Sequence, residues 1–199
     1  MPDWTLTPND LAARNAVLAT LRDPAIKRMG FGVGSVLIFP FDYERVAKAI
    51  EGNKISVRVD PKGSAHMALY DYASDRFKIP PGGSNPDLLV HEATHAIFDI
   101  RKIATGTGVS EGMAYIAQAL FQRIKFGPQA RYVPAMDQGL ISFMGWQMIF
   151  DLSRALAEVL IKTPYITRDR AEPLFNAVGM TVTYLGQGRN ANFNGVPGA

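Results

Sequence analysis

Residues 85–121 read NPDLLVHEATHAIFDIRKIATGTGVSEGMAYIAQALF, and residues 91–95 within them, HEATH, are an instance of HExxH. On a helix, positions i and i+4 lie on one face with their β-carbons about 5–6 Å apart, so His91 and His95 can turn both imidazoles onto one cation. Glu92 follows His91 by about 100° of helical turn. Its carboxylate then stands beside the cation, where it can hydrogen-bond a water without being a ligand. Two of the chain's three histidines are spent in this pentapeptide. The flanks support a buried helix: Leu88, Leu89 and Val90 precede the motif, and Ala96, Ile97 and Phe98 follow it. Asn85 is a good N-cap, and Pro86 suits the first helical position. The pattern points to metal-assisted hydrolysis.

Two imidazoles do not complete a catalytic zinc site, which takes three protein ligands and keeps one position for water. The chain has no cysteine, so no thiolate can be the third. Phe98 stands where the metzincin extension needs glycine, and no third histidine follows. A carboxylate is left. Residues 105–109 form a Gly/Thr connector, after which Ser110 opens a second apolar-periodic segment, SEGMAYIAQALFQRI, with Glu111 at its mouth. The alternative for Glu111 is an exposed first-turn glutamate favoured by the helix dipole. Gly112 and Ala114 are small enough to let this second helix approach the first closely.

HEATH followed by SEGMAY resembles the gluzincin zinc metallopeptidases, in which an EGxA-type glutamate on the helix after HExxH is the third ligand. The resemblance covers about residues 88–121, under a quarter of the chain. It implies Zn2+ held by His91, His95 and Glu111, with Glu92 as general base. Many gluzincins carry an aspartate four residues beyond the liganding glutamate, where this chain has Tyr115. Asp99, four residues after His95, could orient an imidazole in its place, or be simply solvated.

Upstream, residues 54–60 alternate Ile55, Val57 and Val59 with polar positions, and Pro61, Lys62 and Gly63 make a turn. Residues 64–72 are expected to pair back as a hairpin, and 76–79 form another short extended run. In zincins an antiparallel edge strand before the HExxH helix binds extended peptide by strand addition, which residues 65–70 resemble in placement. A peptide or protein substrate is the expected partner. His66 falls on that strand. His66, Tyr115 and Tyr132 are candidates to stabilise the oxyanion or contact substrate, each with a plain structural alternative.

Elsewhere, Thr7 and Asp10 form a capping box for a helix to about Arg22, with a helical turn at 24–28. GFGVGS at residues 30–35 lacks the P-loop lysine and reads as a turn into a strand at 36–39. Helices are expected at 41–51, at 134–162 with a break near Gly145, and at 172–185, followed by a loose Gly/Asn-rich tail from about Gly186. The fold class is α+β and zincin-like. It has a small N-terminal antiparallel or mixed sheet with helices, the HExxH helix, and a helical C-terminal half, all in a single domain over residues 1–199.

A formal charge of +3 with no dense basic run implies no nucleic acid. Residues 140–150 are the longest strongly apolar stretch, too short to span a bilayer. No secretory signal is visible after Met1, so the expected location is cytoplasmic or reached by a non-classical export route. The leading functional expectation is a zinc-dependent peptidase, more in keeping with an endopeptidase because no GAMEN stretch is present. The alternatives are a non-catalytic zincin-like module that binds a peptide or partner, and a toxin or effector peptidase of narrow specificity.

Overall fold

The computed structural model describes residues 6–62, 67–128, 140–181, 190, 191, 193 and 195–199. Among these the chain runs through helix α1 (Pro8–Leu21), a 3-10 turn (Ile26–Arg28), strands β1 (Phe31–Val33) and β2 (Val36–Ile38), and helix α2 (Pro40–Glu51). Strands β3 (Ser56–Val59), β4 (Leu69–Asp71) and β5 (Arg76–Ile79) lead into helix α3 (Pro86–Ile100). Strand β6 (Thr105–Gly106), helices α4 (Thr107–Phe126) and α5 (Leu140–Leu160), strand β7 (Tyr165–Ile166), helix α6 (Arg168–Met180) and strand β8 (Asn190–Ala191) follow. The architecture is α+β. The chain falls into two compact units: Met1–Lys27, Pro40–Ile103 and Asn192–Ala199 make one, and Arg28–Phe39 with Ala104–Ala191 make the other.

The first unit is built on a mixed sheet of order β3-β5-β4. β3 runs parallel to β5, and β4 runs antiparallel to it, with Tyr70 opposite Phe77. The hairpin expected between 54–60 and 64–72 therefore does not form. β5 takes the centre because its Phe77 and Ile79 are both buried, while β4, which buries Tyr70 and exposes Leu69, is short and suits an edge.

Helix α1 begins as expected: Thr7 Oγ1 accepts from the Asp10 N–H, and Asp10 Oδ2 accepts from the Thr7 N–H. Asp10 also accepts from the Val59 N–H at 2.8 Å and from Arg58 at 3.2 Å, tying α1 to β3. Burial pushes this carboxyl up, but the bonds from Val59, Thr7 and Arg58 outweigh burial and hold it below its ordinary value.

Helix α3 is buried almost all round, as every residue from Leu89 to Ile100 is enclosed. Asn85 caps it by extended backbone conformation without a side-chain bond, and Pro86 occupies its first turn. Its end is a Schellman motif: the Ile103 N–H bonds Phe98 O, the Lys102 N–H bonds Asp99 O, and Lys102 sits at φ +52°. Tyr43 of α2 shares a 3.2 Å hydrogen bond with Thr94, whose hydroxyl donates to Val90 O. These contacts fix the rotation of α3 about its axis.

Part of the tail expected to be loose lies outside the described residues, but four of its members make contacts. The Gly195 N–H donates to Asp99, Val196 is buried, Phe193 packs tilted against Phe98 and edge-on to Tyr72, and Lys54 Nζ bonds Gly198 O. Gly195 stands at φ +84°, a backbone state that favours glycine.

In the second unit, β1 and β2 form a hairpin turned at Gly34 (φ +58°), β7 joins β1 in parallel, and β6 pairs with β8. Part of the GFGVGS stretch is thus strand. Helices α4, α5 and α6 pack against one another. α4 starts at Thr107, before the expected Ser110, because Gly106 takes the extended N-cap conformation with no side-chain bond to advertise it. α5 runs through Gly145 without a break, and α6 begins at Arg168 with Thr167 as N-cap. The small Gly112 admits Phe175 of α6: a β-carbon at Gly112 would stand 2.4 Å from the Phe175 ring. The smallness noted in the sequence therefore serves the α4–α6 contact. Gly112→Ala should lower stability by about 1–3 kcal/mol through overpacking. A urea midpoint equal to that of the parent chain would show that this contact yields without cost.

Candidate metal centre

His91, Glu92 and His95 ride on the buried helix α3, and all three residues are enclosed, at 5%, 7% and 8% exposure. The His91 and His95 Nε2 atoms face each other at 3.3 Å, with the rings inclined at 71°. Two nitrogens bound at about 2.0–2.1 Å to a tetrahedral zinc stand about 3.3–3.4 Å apart, so the pair has the spacing such an ion requires. His91, His95 and Glu111 together form a group that could hold a metal ion: one ligand atom from each lies within 4.8 Å of the others. Glu111 is in the second turn of α4, whose first turn holds no acidic residue. The helix-dipole alternative for Glu111 therefore falls away. Two imidazole nitrogens and a carboxylate suit a borderline cation better than magnesium or calcium, which favour all-oxygen shells.

The carboxylate of Glu92 is fixed from outside its own helix. Its Oε2 accepts a 2.7 Å hydrogen bond from the Tyr70 N–H on β4, and its Oε1 lies 4.0 Å from His91 Nε2. One oxygen is thus held by the edge strand while the other stands on the imidazole side.

Tyr70 makes a second bond with its side chain, its Oη donating to Asp99 Oδ2 at 2.8 Å. Burial, and then the Asp99 carboxylate, push the Tyr70 hydroxyl above its ordinary value and keep it a donor. Asp99 is fully buried, which rules out the solvated alternative. Its Oδ1 accepts from the Gly195 N–H at 2.8 Å. Asp75 at the foot of β5 shares these neighbours. Burial and the negative Asp99 raise its carboxyl to about 6.

Tyr115 lies in α4 against aromatic rings of α5, edge-on to Trp146 and Phe150, which stack on each other. His66 and Tyr132, the other residues considered as oxyanion or substrate contacts, lie outside the described residues. Tyr70 as the partner of Glu92 was not visible in the sequence, since a main-chain donor has no residue signature. No family model, curated protein or solved structure matches this chain. No helix among the described residues is long and apolar enough to cross a membrane.

The raised carboxyl of Asp75 has a thermodynamic consequence. Between its ordinary value near 3.8 and its folded value of about 6, the folded chain keeps a proton that the unfolded chain has released. The associated stability is complete below pH 3.8 and is lost as pH rises through about 6. Asp75 sits at φ +47°, which asparagine tolerates. Asp75→Asn should therefore gain in melting temperature over the parent chain as pH rises from 4 to 7. Parallel melting curves across that window would contradict the assignment.

Proposed function

We propose that this chain is a zinc-dependent metallopeptidase of the gluzincin kind, hydrolysing peptide bonds as an endopeptidase. His91, His95 and Glu111 would hold the metal. The observation that carries the reading is the facing pair of imidazole nitrogens with an anchored carboxylate beside them. Zinc, when bound, polarises a carbonyl and brings the pKa of a water to around 7.

Glu92 is suited to the proton transfers. With Oε2 engaged by the Tyr70 N–H, Oε1 is the oxygen that takes the proton of the attacking water and later returns it to the leaving amine. Enclosure of the three motif side chains limits competing water and strengthens the charge interactions among them. Strand β4 lies at the edge of its sheet, in the order β3-β5-β4, with β5 between it and α3 in the chain. The Tyr70 N–H on that edge is taken by Glu92, so contact of an extended peptide with β4 rests on side chains, of which Leu69, 52% exposed, offers an apolar surface.

Glu92→Gln keeps the shape of the side chain and removes its basicity. Hydrolysis of fluorescein-labelled casein by the zinc-loaded chain should fall by about 10²–10⁴-fold in this variant. Casein cleavage at the parent rate in Glu92→Gln would remove the mechanism.

A further inference from the structure

Three buried hydrogen bonds run in series from the C-terminal segment to the proposed base. The Gly195 N–H donates to Asp99 Oδ1 at 2.8 Å, Tyr70 Oη donates to Asp99 Oδ2 at 2.8 Å, and the Tyr70 N–H donates to Glu92 Oε2 at 2.7 Å. Glu92 and Asp99 are separated by two turns on one face of α3, about 10 Å along the axis. Tyr70 spans that interval, with its main chain at the first carboxylate and its phenol at the second. We propose that Tyr70 is a positioning residue for Glu92, clamped through Asp99 by the segment that carries Gly195. The proposal rests on Glu92 being the base.

The number of attachment points decides how firmly Glu92 is held. A glutamate side chain has three rotatable bonds, and a single hydrogen bond from a strand end would let both partners pivot together. Tyr70 is instead held at both ends and by its ring, which packs 5.2 Å from Phe77. Asp99 is likewise held at both oxygens, so it cannot follow the phenol if the phenol moves. The segment supplying Gly195 is itself pinned on either side of that residue, by Phe193 against Phe98 and by the enclosed Val196. The series leaves Glu92 Oε2 in one place and so fixes where Oε1 can lie. Small displacements of a reacting group are costly: a misplacement of about 1 Å can reduce rate about 10²-fold.

Tyr70→Phe removes only the hydroxyl and keeps the N–H, and Gly195→Val disturbs the far end of the series at a left-handed backbone position. Amide hydrogen exchange of residue 70, followed by NMR in the full chain, reads the anchor without any assay of activity. The Val59 amide, bonded to Asp10 at 2.8 Å, serves as the reference for general loosening. Exchange at residue 70 should be about tenfold faster in both variants, as expected for losing one hydrogen-bonded anchor, with the Val59 amide unchanged. On labelled casein, kcat should fall by about 10–10²-fold while KM and zinc per chain stay at the parent values. Unchanged exchange at residue 70 in both variants, equal acceleration at Val59, or an unaltered kcat in an active parent would each overturn the proposal. If the parent chain does not cleave casein, the peptidase reading fails there, and the exchange result alone decides whether Tyr70 is clamped as proposed.

Discussion

Two imidazole nitrogens held 3.3 Å apart inside a buried helix set the terms for everything around them. At that distance a cation placed between the two nitrogens would satisfy both lone pairs at once. Holding that arrangement requires a helix that neither frays nor rotates. The first unit meets the requirement with the Schellman end at Lys102, the Tyr43–Thr94 bond from α2, and the Arg101–Asp42 contact between α3 and α2.

The sheet of the same unit contributes through its edge. β4 is bonded to β5 on one side, which leaves the Tyr70 N–H to bond Glu92. A main-chain donor makes a good anchor because its position is fixed by the sheet and not by a rotamer. Sheet order therefore bears on chemistry: had residues 64–72 paired back on β3 as a hairpin, with β5 outside, this N–H would have had a different neighbour. The carboxylate cluster of Asp75 and Asp99 around Tyr70 Oη is the electrostatic consequence of bringing the β4–β5 turn close to the end of α3.

What the sequence revealed was local and periodic. The i, i+4 spacing of His91 and His95 required only a helix to become a facing pair. The capping box of Thr7 and Asp10 and the alternation of Ile55, Val57 and Val59 similarly carried their own structural meaning. What escaped it was non-local or written in the main chain. The parallel pairing of β3 with β5 depends on which strand buries both Phe77 and Ile79, a property of the assembled sheet. The start of α4 at Thr107 follows a glycine N-cap, so a Gly/Thr stretch read as connector is partly strand and partly helix. Asp99 was noticed for its helical phase with His95, yet two of its bonds, to Tyr70 and Gly195, come from segments distant in sequence. The bond from Gly195 to Asp99 was equally hidden, because its donor is a main-chain N–H at a left-handed glycine.

The proposed function requires His91, His95 and Glu111 to hold one zinc. X-ray absorption at the zinc edge, on the 199-residue chain loaded with about one equivalent of the metal, reads that ligand set. Nitrogen and oxygen ligands at about 2.0–2.1 Å, outer scattering from two imidazoles, and loss of tight binding in Glu111→Ala are expected. Failure to retain zinc, or an oxygen-only shell without imidazole scattering, would contradict it.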